Sequence, residues 1–218
     1  MTDARTLTDR RVLLAGGTSD AGWAIAHALR GRGARVVVAG RSPVRLARFA
    51  DAGFDAVEVD LTHAAAVDDA VGGLGPLDGL IPLVGGWRGG GGIPGQSDED
   101  WQALSDALTA VRHACRAAWP LLEASPAARV AVVSSVQVAR PLAGGANYAA
   151  VKAAIEAWIQ AMAHGFSISA RDADRPQAGG CTIFRVNQLA DVVDDVAAGM
   201  AGLWDEAPDP TARIVTLA

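Results

Sequence analysis

Short apolar runs alternate with longer amphipathic stretches along the whole chain. Continuous Val, Leu and Ile runs are typical of strands buried on both faces of a parallel sheet, whereas apolar positions at helical spacing predict helices. The predicted strands span residues 11–15, 35–39, 56–59, 79–84, 129–134, 181–186 and 212–217. The predicted helices span residues 21–30, 43–50, 64–71, 98–123, 147–166 and 191–204.

This alternation predicts an α/β fold with about seven parallel strands and helices on both faces of the sheet. We expect a single doubly wound, Rossmann-type domain over residues 1–218, with the catalytic residues in the same domain. In such a fold, ligands bind in the crevice outside the carboxyl ends of the strands. The loops that follow the strands are therefore where functional residues are expected.

Two stretches interrupt the alternation. Residues 85–95 read G-G-W-R-G-G-G-G-I-P-G and follow the fourth predicted strand, so we expect a ligand wall in which Trp87 contacts substrate; a simple flexible loop is the alternative. Residues 167–180 are polar and end P-Q-A-G-G, which predicts a mobile surface connection.

Composition narrows the functional class. The chain has 218 residues, 50% of them hydrophobic, a mean hydropathy of +0.21 and a net charge of −5. The acidic balance argues against a nucleic-acid partner, and no apolar run is long enough to predict a membrane span. Residues 1–11 lack the apolar core of a signal peptide, so we expect a cytoplasmic protein. Cys115 and Cys181 lack metal-ligand spacing, which predicts free buried thiols and no metal site.

A glycine-rich segment follows the first predicted strand. Residues 15–26 read A-G-G-T-S-D-A-G-W-A-I-A. Glycines let the backbone turn tightly beside a pyrophosphate, whose charge is met by amides at the start of the next helix. Because this segment lies between a predicted strand and a predicted helix, it predicts a dinucleotide site.

The second predicted strand ends V-V-V-A-G-R-S. A cation at this place matches the 2′-phosphate of NADP, whereas NAD is usually met by a carboxylate, so Arg41 favours NADP over NAD. The alternative is a solvated arginine at a helix start. After the third strand, Asp60 and Leu61 are placed to reach the adenine, although an Asp before a helix is also an ordinary N-cap.

The chain contains one tyrosine and one lysine, and both lie in Y-A-A-V-K at residues 148–152. At i and i+4 of a predicted helix, Tyr148 and Lys152 share a face. A neighbouring ammonium favours the phenolate and lowers the pKa of a tyrosine from about 10, which predicts an acid–base pair. Ser134 and Ser135, at the end of the fifth strand, offer hydroxyls to a carbonyl oxygen. An exposed helix pair is the alternative.

In their order along residues 11–218, these motifs resemble the short-chain dehydrogenase/reductase superfamily. The resemblance implies hydride transfer between NADPH and a carbonyl or imine of a small molecule. It implies that Ser135 polarises the carbonyl, that Tyr148 is the general acid or base, and that Lys152 lowers the tyrosine pKa and holds the nicotinamide ribose. The cofactor contacts expected with Tyr148 and Lys152 are Gly16, Thr18, Ser19, Asp20, Ala21, Gly22, Arg41, Ser42, Asp60, Leu61, Val84 and Gly85.

Four positions depart from the family pattern. Asp20 stands where the family loop has glycine, and a carboxylate there repels a diphosphate unless it points away. Residues 82–85, P-L-V-G, replace the family's N-N-A-G, and Ala107 or Leu108 replaces a proton-relay asparagine. After the sixth strand, residues 186–191 run almost directly into the last helix, so we expect a site that is open or closed by another chain.

Three alternatives to a simple carbonyl reductase remain open. Residues 85–90, G-G-W-R-G-G, are similar to the loop of dihydropteridine reductases, which would make Trp87 a platform for a pterin ring. The departures also fit an enzyme without net redox change, such as a cyclase, dehydratase or isomerase. A non-catalytic nucleotide-sensing protein is the third alternative.

The two long predicted helices carry Trp101, Trp119, Trp158 and many alanines. In the resembling family these helices pack against their copies, so we expect a homodimer or homotetramer. The alternative is that the tryptophans lie in the core of one chain.

Overall fold

The computed structural model describes residues 7–217. Its seven strands form one parallel sheet in the order β3-β2-β1-β4-β5-β6-β7. The strands are β1 (Arg11–Ala15), β2 (Arg35–Gly40), β3 (Asp55–Glu58), β4 (Gly79–Pro82), β5 (Arg129–Ser135), β6 (Gly180–Val186) and β7 (Arg213–Leu217). The predicted α/β fold with a seven-stranded parallel sheet is therefore confirmed.

Six α-helices connect the strands. They are α1 (Asp20–Gly31), α2 (Pro43–Asp51), α3 (Ala64–Gly72), α4 (Asp98–Ala124), α5 (Ala146–Asp172) and α6 (Val193–Ala201). Short 3₁₀ turns precede α5 and flank α6. The last predicted helix is thus shorter than expected, because its two ends are 3₁₀ turns at Leu189–Asp191 and Gly202–Trp204.

Helices cover both faces of the sheet, and consecutive strand residues point to opposite layers. Leu13 packs with α3, α4 and α5, whereas its neighbours Val12 and Leu14 pack with α1, α2 and α6. This double burial explains why the strand sequences are continuously apolar rather than alternating.

Strand order reverses direction at β1, whose two neighbours in the sheet are β2 and β4. The connections from β1 and from β4 therefore leave on opposite faces, which opens a crevice at their carboxyl ends. The glycine segment after β1 and the loop 85–95 after β4 both border this crevice.

The prediction of a mobile surface connection over residues 167–180 was wrong for its first part. Helix α5 continues to Asp172, because Ala170 keeps the buried helical periodicity and α4 supplies polar partners. Ser169 donates a hydrogen bond to Glu123 at the end of α4, and Ser167 donates one of 2.7 Å to Gln177.

The tryptophans of the two long helices have different surroundings. Trp119 packs on Phe166 with ring centroids 4.7 Å apart, and it lies between α4 and α5 of the same chain. Trp158 is also partly buried against the core, whereas Trp101 is 46% exposed. Only Trp101 among these three therefore presents a largely exposed ring.

Both cysteines are free and buried, as predicted. Burial raises the pKa of Cys115 to about 12 and also raises that of Cys181. Across residues 7–217, no group of three or more His, Cys, Asp or Glu side chains could hold a metal ion, and no helix has the length and apolarity of a membrane span. The prediction that residues 1–11 hold no signal peptide falls partly on residues 1–6, which lie outside the described residues, as does residue 218.

Candidate active site

The segment between β1 and α1 is folded so closely that two of its glycines are required. Gly16 has φ +79°, and a Cβ there would collide with the side chain of Val84. A Cβ on Gly22 would collide with the carbonyl oxygen of Gly17. Ser19 begins the helix by accepting a 3.2 Å hydrogen bond from the Gly22 amide. The backbone thus forms a cradle at the amino end of α1, where amides without intrahelical acceptors favour an anion.

Asp20 points away from this cradle. Its carboxylate is 95% exposed and accepts a 2.7 Å hydrogen bond from Arg48 of α2. The Arg48 guanidinium is itself held over the Trp23 ring, 4.0 Å from its centroid. The Asp20 carboxylate is thus directed toward α2.

The end of β2 lies directly beside the cradle. A Cβ on Gly40 would be 2.7 Å from the Thr18 side chain, so these two residues are in close contact. Arg41 follows and is exposed; among the described residues it has no hydrogen-bond or salt-bridge partner. Ser42 begins α2 by accepting a 3.4 Å hydrogen bond from the Arg45 amide. An exposed cation therefore follows the strand end that contacts the cradle, and its charge contributes to lowering the Asp60 pKa.

The Asp60 side chain forms its hydrogen bonds within the loop that follows β3. Its carboxylate accepts hydrogen bonds from the amide and the hydroxyl of Thr62, at 2.9 and 2.8 Å, and these bonds lower its pKa. His63, and not Asp60, occupies the N-cap position of α3. The buried Leu61 lies next in the chain, and its carbonyl is 3.1 Å from the His113 ring nitrogen.

Of Ala107 and Leu108, the two residues expected in place of a relay asparagine, Ala107 lies beside the end of β4. A Cβ on Gly85 would be 3.2 Å from the Ala107 methyl group, so Ala107 faces the crevice at the end of β4. Leu108 packs against the hydrophobic core instead. The amide side chain of a relay asparagine is thus replaced by a methyl group.

Ser135 and Tyr148 are brought together by β5 and α5. Ser135 is 2% exposed at the end of β5, and its hydroxyl accepts a 3.2 Å hydrogen bond from the Gln137 amide. The partly buried Tyr148 phenol faces the Ser135 side chain. Burial raises the pKa of Tyr148, and the interaction with Ser135 only partly opposes the increase. The phenol is therefore protonated at neutral pH.

Lys152 lies one helical turn further along α5. Its ammonium is 5.7 Å from the centroid of the Tyr148 ring and donates a 2.8 Å hydrogen bond to the Val133 carbonyl. Burial lowers the pKa of Lys152 to about 8, against a smaller opposite effect of Glu156. The expectation that Lys152 lowers the Tyr148 pKa is not met in this structure, because burial dominates the phenol.

A buried charged cluster that the sequence did not predict lies behind this pair. Glu156 is 2% exposed and accepts hydrogen bonds from Ser134 at 2.6 Å and from Arg185 at 2.9 and 2.6 Å. An acidic residue on the apolar face of α5, one turn after Lys152, was the available signal. The cluster fixes the end of β5 against α5, immediately before Ser135.

Loop 85–95, where a substrate wall is expected, packs on the segment before α5 through the hydrogen bond from the Gly90 amide to the Gly144 carbonyl. Trp87 is 60% exposed, and Arg88 forms a 3.2 Å ion pair with Asp100 at the start of α4. The site thus combines an anion cradle, an exposed cation, a hydroxyl–phenol pair and an ammonium along one edge of the sheet.

A family model described as short chain dehydrogenase matches residues 10–169. The chain belongs to the short-chain dehydrogenase family. Its members are dehydrogenases and oxidoreductases, so this family member is an enzyme of the oxidoreductase class. No curated protein sequence matches the chain.

Solved structures share the fold of this short-chain dehydrogenase. L-sorbose reductase from Gluconobacter frateurii, complexed with NADPH and L-sorbose, is 18% identical with a TM-score of 0.80, covering 98% of this chain and 97% of that one. A metagenomic short-chain oxidoreductase in complex with NADP is 24% identical with a TM-score of 0.79, covering 97% of each chain. An NADPH-bound short-chain oxidoreductase from Pseudomonas aeruginosa PAO1, containing an atypical catalytic center, is 19% identical with a TM-score of 0.78, covering 96% and 97%.

Proposed function

We propose that this short-chain dehydrogenase uses NADPH to reduce a carbonyl or imine of a small organic molecule. The observation that carries the proposal is the pairing of the Ser135 hydroxyl with the Tyr148 phenol, with the Lys152 ammonium 5.7 Å from the centroid of the phenol ring. All three groups lie where β5 and α5 border the crevice.

The cradle and Arg41 support NADPH as the cofactor. The cradle has no room for side chains at Gly16 and Gly22, which leaves its amides accessible to a pyrophosphate. Arg41 is exposed and forms no salt bridge among the described residues, although its charge contributes to lowering the Asp60 pKa, so its guanidinium can turn to a 2′-phosphate. When bound, NADPH supplies the hydride. Several structural neighbours are NADP or NADPH complexes, which agrees with this assignment.

We assign the proton to Tyr148. In the reducing direction the substrate carbon receives the hydride while its oxygen takes the phenolic proton of Tyr148, which yields an alcohol and a phenolate. The raised pKa of Tyr148 suits an acid that is protonated before the reaction. Ser135 donates a hydrogen bond to the same substrate oxygen, and Lys152 binds the nicotinamide ribose through its ammonium.

We propose the remaining cofactor and substrate contacts from the residues of the loops that border the crevice. Trp87 lines the substrate side, either for a pterin-like ring or for another flat molecule, and the cofactor contacts are those expected from Thr18, Ser19, Asp20, Ala21, Ser42, Asp60, Leu61, Val84 and Gly85. We further propose a single domain over the whole chain, a cytoplasmic location and a homodimer or homotetramer assembled through α4 and α5.

A non-redox reaction is the second candidate, and Ala107 favours it. With a methyl group in place of the relay asparagine, the proton lost by Tyr148 must return from solvent or from the substrate itself. A cyclisation or isomerisation returns the proton within one turnover and therefore has no need of the relay.

Simultaneous measurement of NADPH and product separates the two candidates. Phenanthrenequinone, a flat neutral dicarbonyl, serves as the probe substrate together with simple aldehydes and cyclic imines. The reductase proposal predicts that one NADPH is oxidised for each product molecule formed. Product that accumulates while the NADPH concentration stays constant would support the non-redox alternative instead.

A further inference from the structure

The glycine-rich loop 85–95 is compactly folded and attached to the catalytic helix. The Gly90 amide donates a 2.7 Å hydrogen bond to the Gly144 carbonyl, just before α5. A Cβ on Gly89 would collide with that same carbonyl oxygen. The glycines therefore allow the loop backbone to pack directly on the segment that leads into Tyr148, which disagrees with the alternative of a simple flexible loop.

One side chain, Gln96, holds this contact together. Its Nε2 lies 3.1, 3.0 and 3.0 Å from the carbonyl oxygens of Gly90, Gly92 and Gly144. Its Oε1 accepts a 3.1 Å hydrogen bond from the Asn147 amide. The same carboxamide thus joins both sides of the loop to the residue that precedes Tyr148.

Gln96 also completes the amino end of α5. The first amides of a helix have no intrahelical acceptor and need an outside partner. Gly145, at the N-cap, has no side chain to provide one, so the Asn147 amide is satisfied by Gln96 from 51 positions away. Asn147 adds a second connection, because its side-chain amide donates to the Ser97 carbonyl at 3.3 Å.

We propose that Gln96 is a positioning residue that locks the glycine loop onto the start of α5 and thereby holds the Tyr148 phenol against Ser135. The functional part of this inference rests on the proposed reductase activity. The loop then forms a fixed wall beside the reacting hydroxyls. Gln96 acts through Asn147 and Gly144 and has no assigned contact with substrate or cofactor.

The proposal is tested with Gln96→Ala, and with Gln102→Ala as the matched control. Gln102 lies on the exposed surface of α4, and among residues 7–217 its side chain bonds only to Asp106, one helical turn away. In Gln96→Ala we expect amide hydrogen exchange at Gly90 and Asn147 to accelerate about tenfold or more, while exchange in β5 keeps its wild-type rate. Gln102→Ala should exchange like the wild type at all of these positions.

Tyr148 supplies a second readout that needs no turnover. Because it is the only tyrosine, isotopically labelled tyrosine gives one phenol signal in the nuclear magnetic resonance spectrum. This signal should shift in Gln96→Ala and stay unchanged in Gln102→Ala. With phenanthrenequinone as substrate, kcat should fall about tenfold while the Kd for NADPH stays constant, since the phenol moves and the cradle does not.

Gln96→Glu separates the hydrogen bonds that Gln96 donates to the loop carbonyls from the one that it accepts from the Asn147 amide. It also provides a second test if Gln96→Ala does not fold. Glutamate retains an acceptor for the Asn147 amide but loses the donors to three carbonyls, so Gly90 should exchange faster while Asn147 stays protected. Wild-type exchange rates at both amides in the Gln96 variants, or an unmoved tyrosine signal in Gln96→Ala, would overturn the inference. A wild-type protein without turnover would contradict the reductase proposal, whereas the exchange and tyrosine readouts would still decide the role of Gln96.

Discussion

The ammonium of Lys152 donates a 2.8 Å hydrogen bond to the backbone carbonyl of Val133. This bond anchors the lysine to β5 and leaves the Tyr148 ring centroid 5.7 Å away. The lysine and the tyrosine are therefore neighbours whose pKa values move in opposite directions, since burial disfavours the charged form of each.

Cofactor binding should depend on the protonation of Lys152. Because burial lowers its pKa to about 8, the ammonium is present below this pH and is lost as the pH rises through it. We predict that the affinity for NADPH begins to fall near pH 8, as measured by fluorescence titration across a pH series. Lys152→Arg keeps its charge over the whole range and should remove this dependence. An equal pH dependence in both proteins would exclude Lys152 as its origin.

Arg41 should select the phosphorylated cofactor. A charge-assisted hydrogen bond contributes about 1.5–3 kcal/mol, so Arg41→Ala should raise the Kd for NADPH by about tenfold to a hundredfold. The Kd for NADH should stay constant, since that cofactor has no 2′-phosphate. Arg171→Ala removes the same charge from the far end of α5 and should change neither value. Parallel losses for NADPH and NADH in Arg41→Ala would contradict the assignment.

Arg48 should affect the cofactor only through Asp20. Loss of an exposed ion pair changes stability by less than about 1 kcal/mol, yet it frees the Asp20 carboxylate beside the phosphate cradle. Arg48→Ala should therefore weaken NADPH binding several-fold while the free energy of unfolding hardly changes. In an Asp20→Asn background the same Arg48 substitution should have no effect on Kd, which calorimetric titration of the double-mutant cycle measures. A persistent loss in that background would mean that Arg48 acts on the cofactor directly.

The cluster around Glu156 should matter for stability far more than a surface ion pair. Removing one partner of a buried pair costs about 3–5 kcal/mol, because the other charge is left uncompensated. Since Arg185 is partly exposed, with 21% of its side chain accessible, we expect about 3 kcal/mol for Glu156→Ala in urea unfolding. Glu206→Ala breaks the exposed pair with Arg213 and should cost less than about 1 kcal/mol. Equal costs would show that burial does not govern the Glu156 cluster.

The predicted helices and strands agree with the observed ones because each is specified by a short, local pattern of apolar and polar residues. Apolar runs and the spacing of Tyr148 and Lys152 are both recognisable within a few residues. The end of α5 was missed because its polar residues are satisfied by α4 and by the connection to β6, which sequence periodicity does not reveal.

The parts of the site that the sequence did not predict depend on partners distant along the chain. A glutamine in a loop carries no sequence signal of a positioning role. The proposed role of Gln96 depends on Gly144 and Asn147, which only the tertiary fold brings near. Burial likewise sets the pKa of Tyr148, and the spacing of Tyr148 and Lys152 carries no information on burial. Local sequence therefore predicts which groups are present, while packing decides their orientation and charge.

In the proposed mechanism, Tyr148 donates the proton during NADPH-dependent reduction. The most direct measurement is single-turnover oxidation of bound NADPH by phenanthrenequinone in the wild type and in Tyr148→Phe, with the Kd for NADPH measured in both. We predict that the rate falls by about 10²–10⁴-fold, because the phenol is the acid, while the Kd changes by no more than about twofold. A Tyr148→Phe protein that oxidises NADPH at the wild-type rate would exclude Tyr148 as the proton donor.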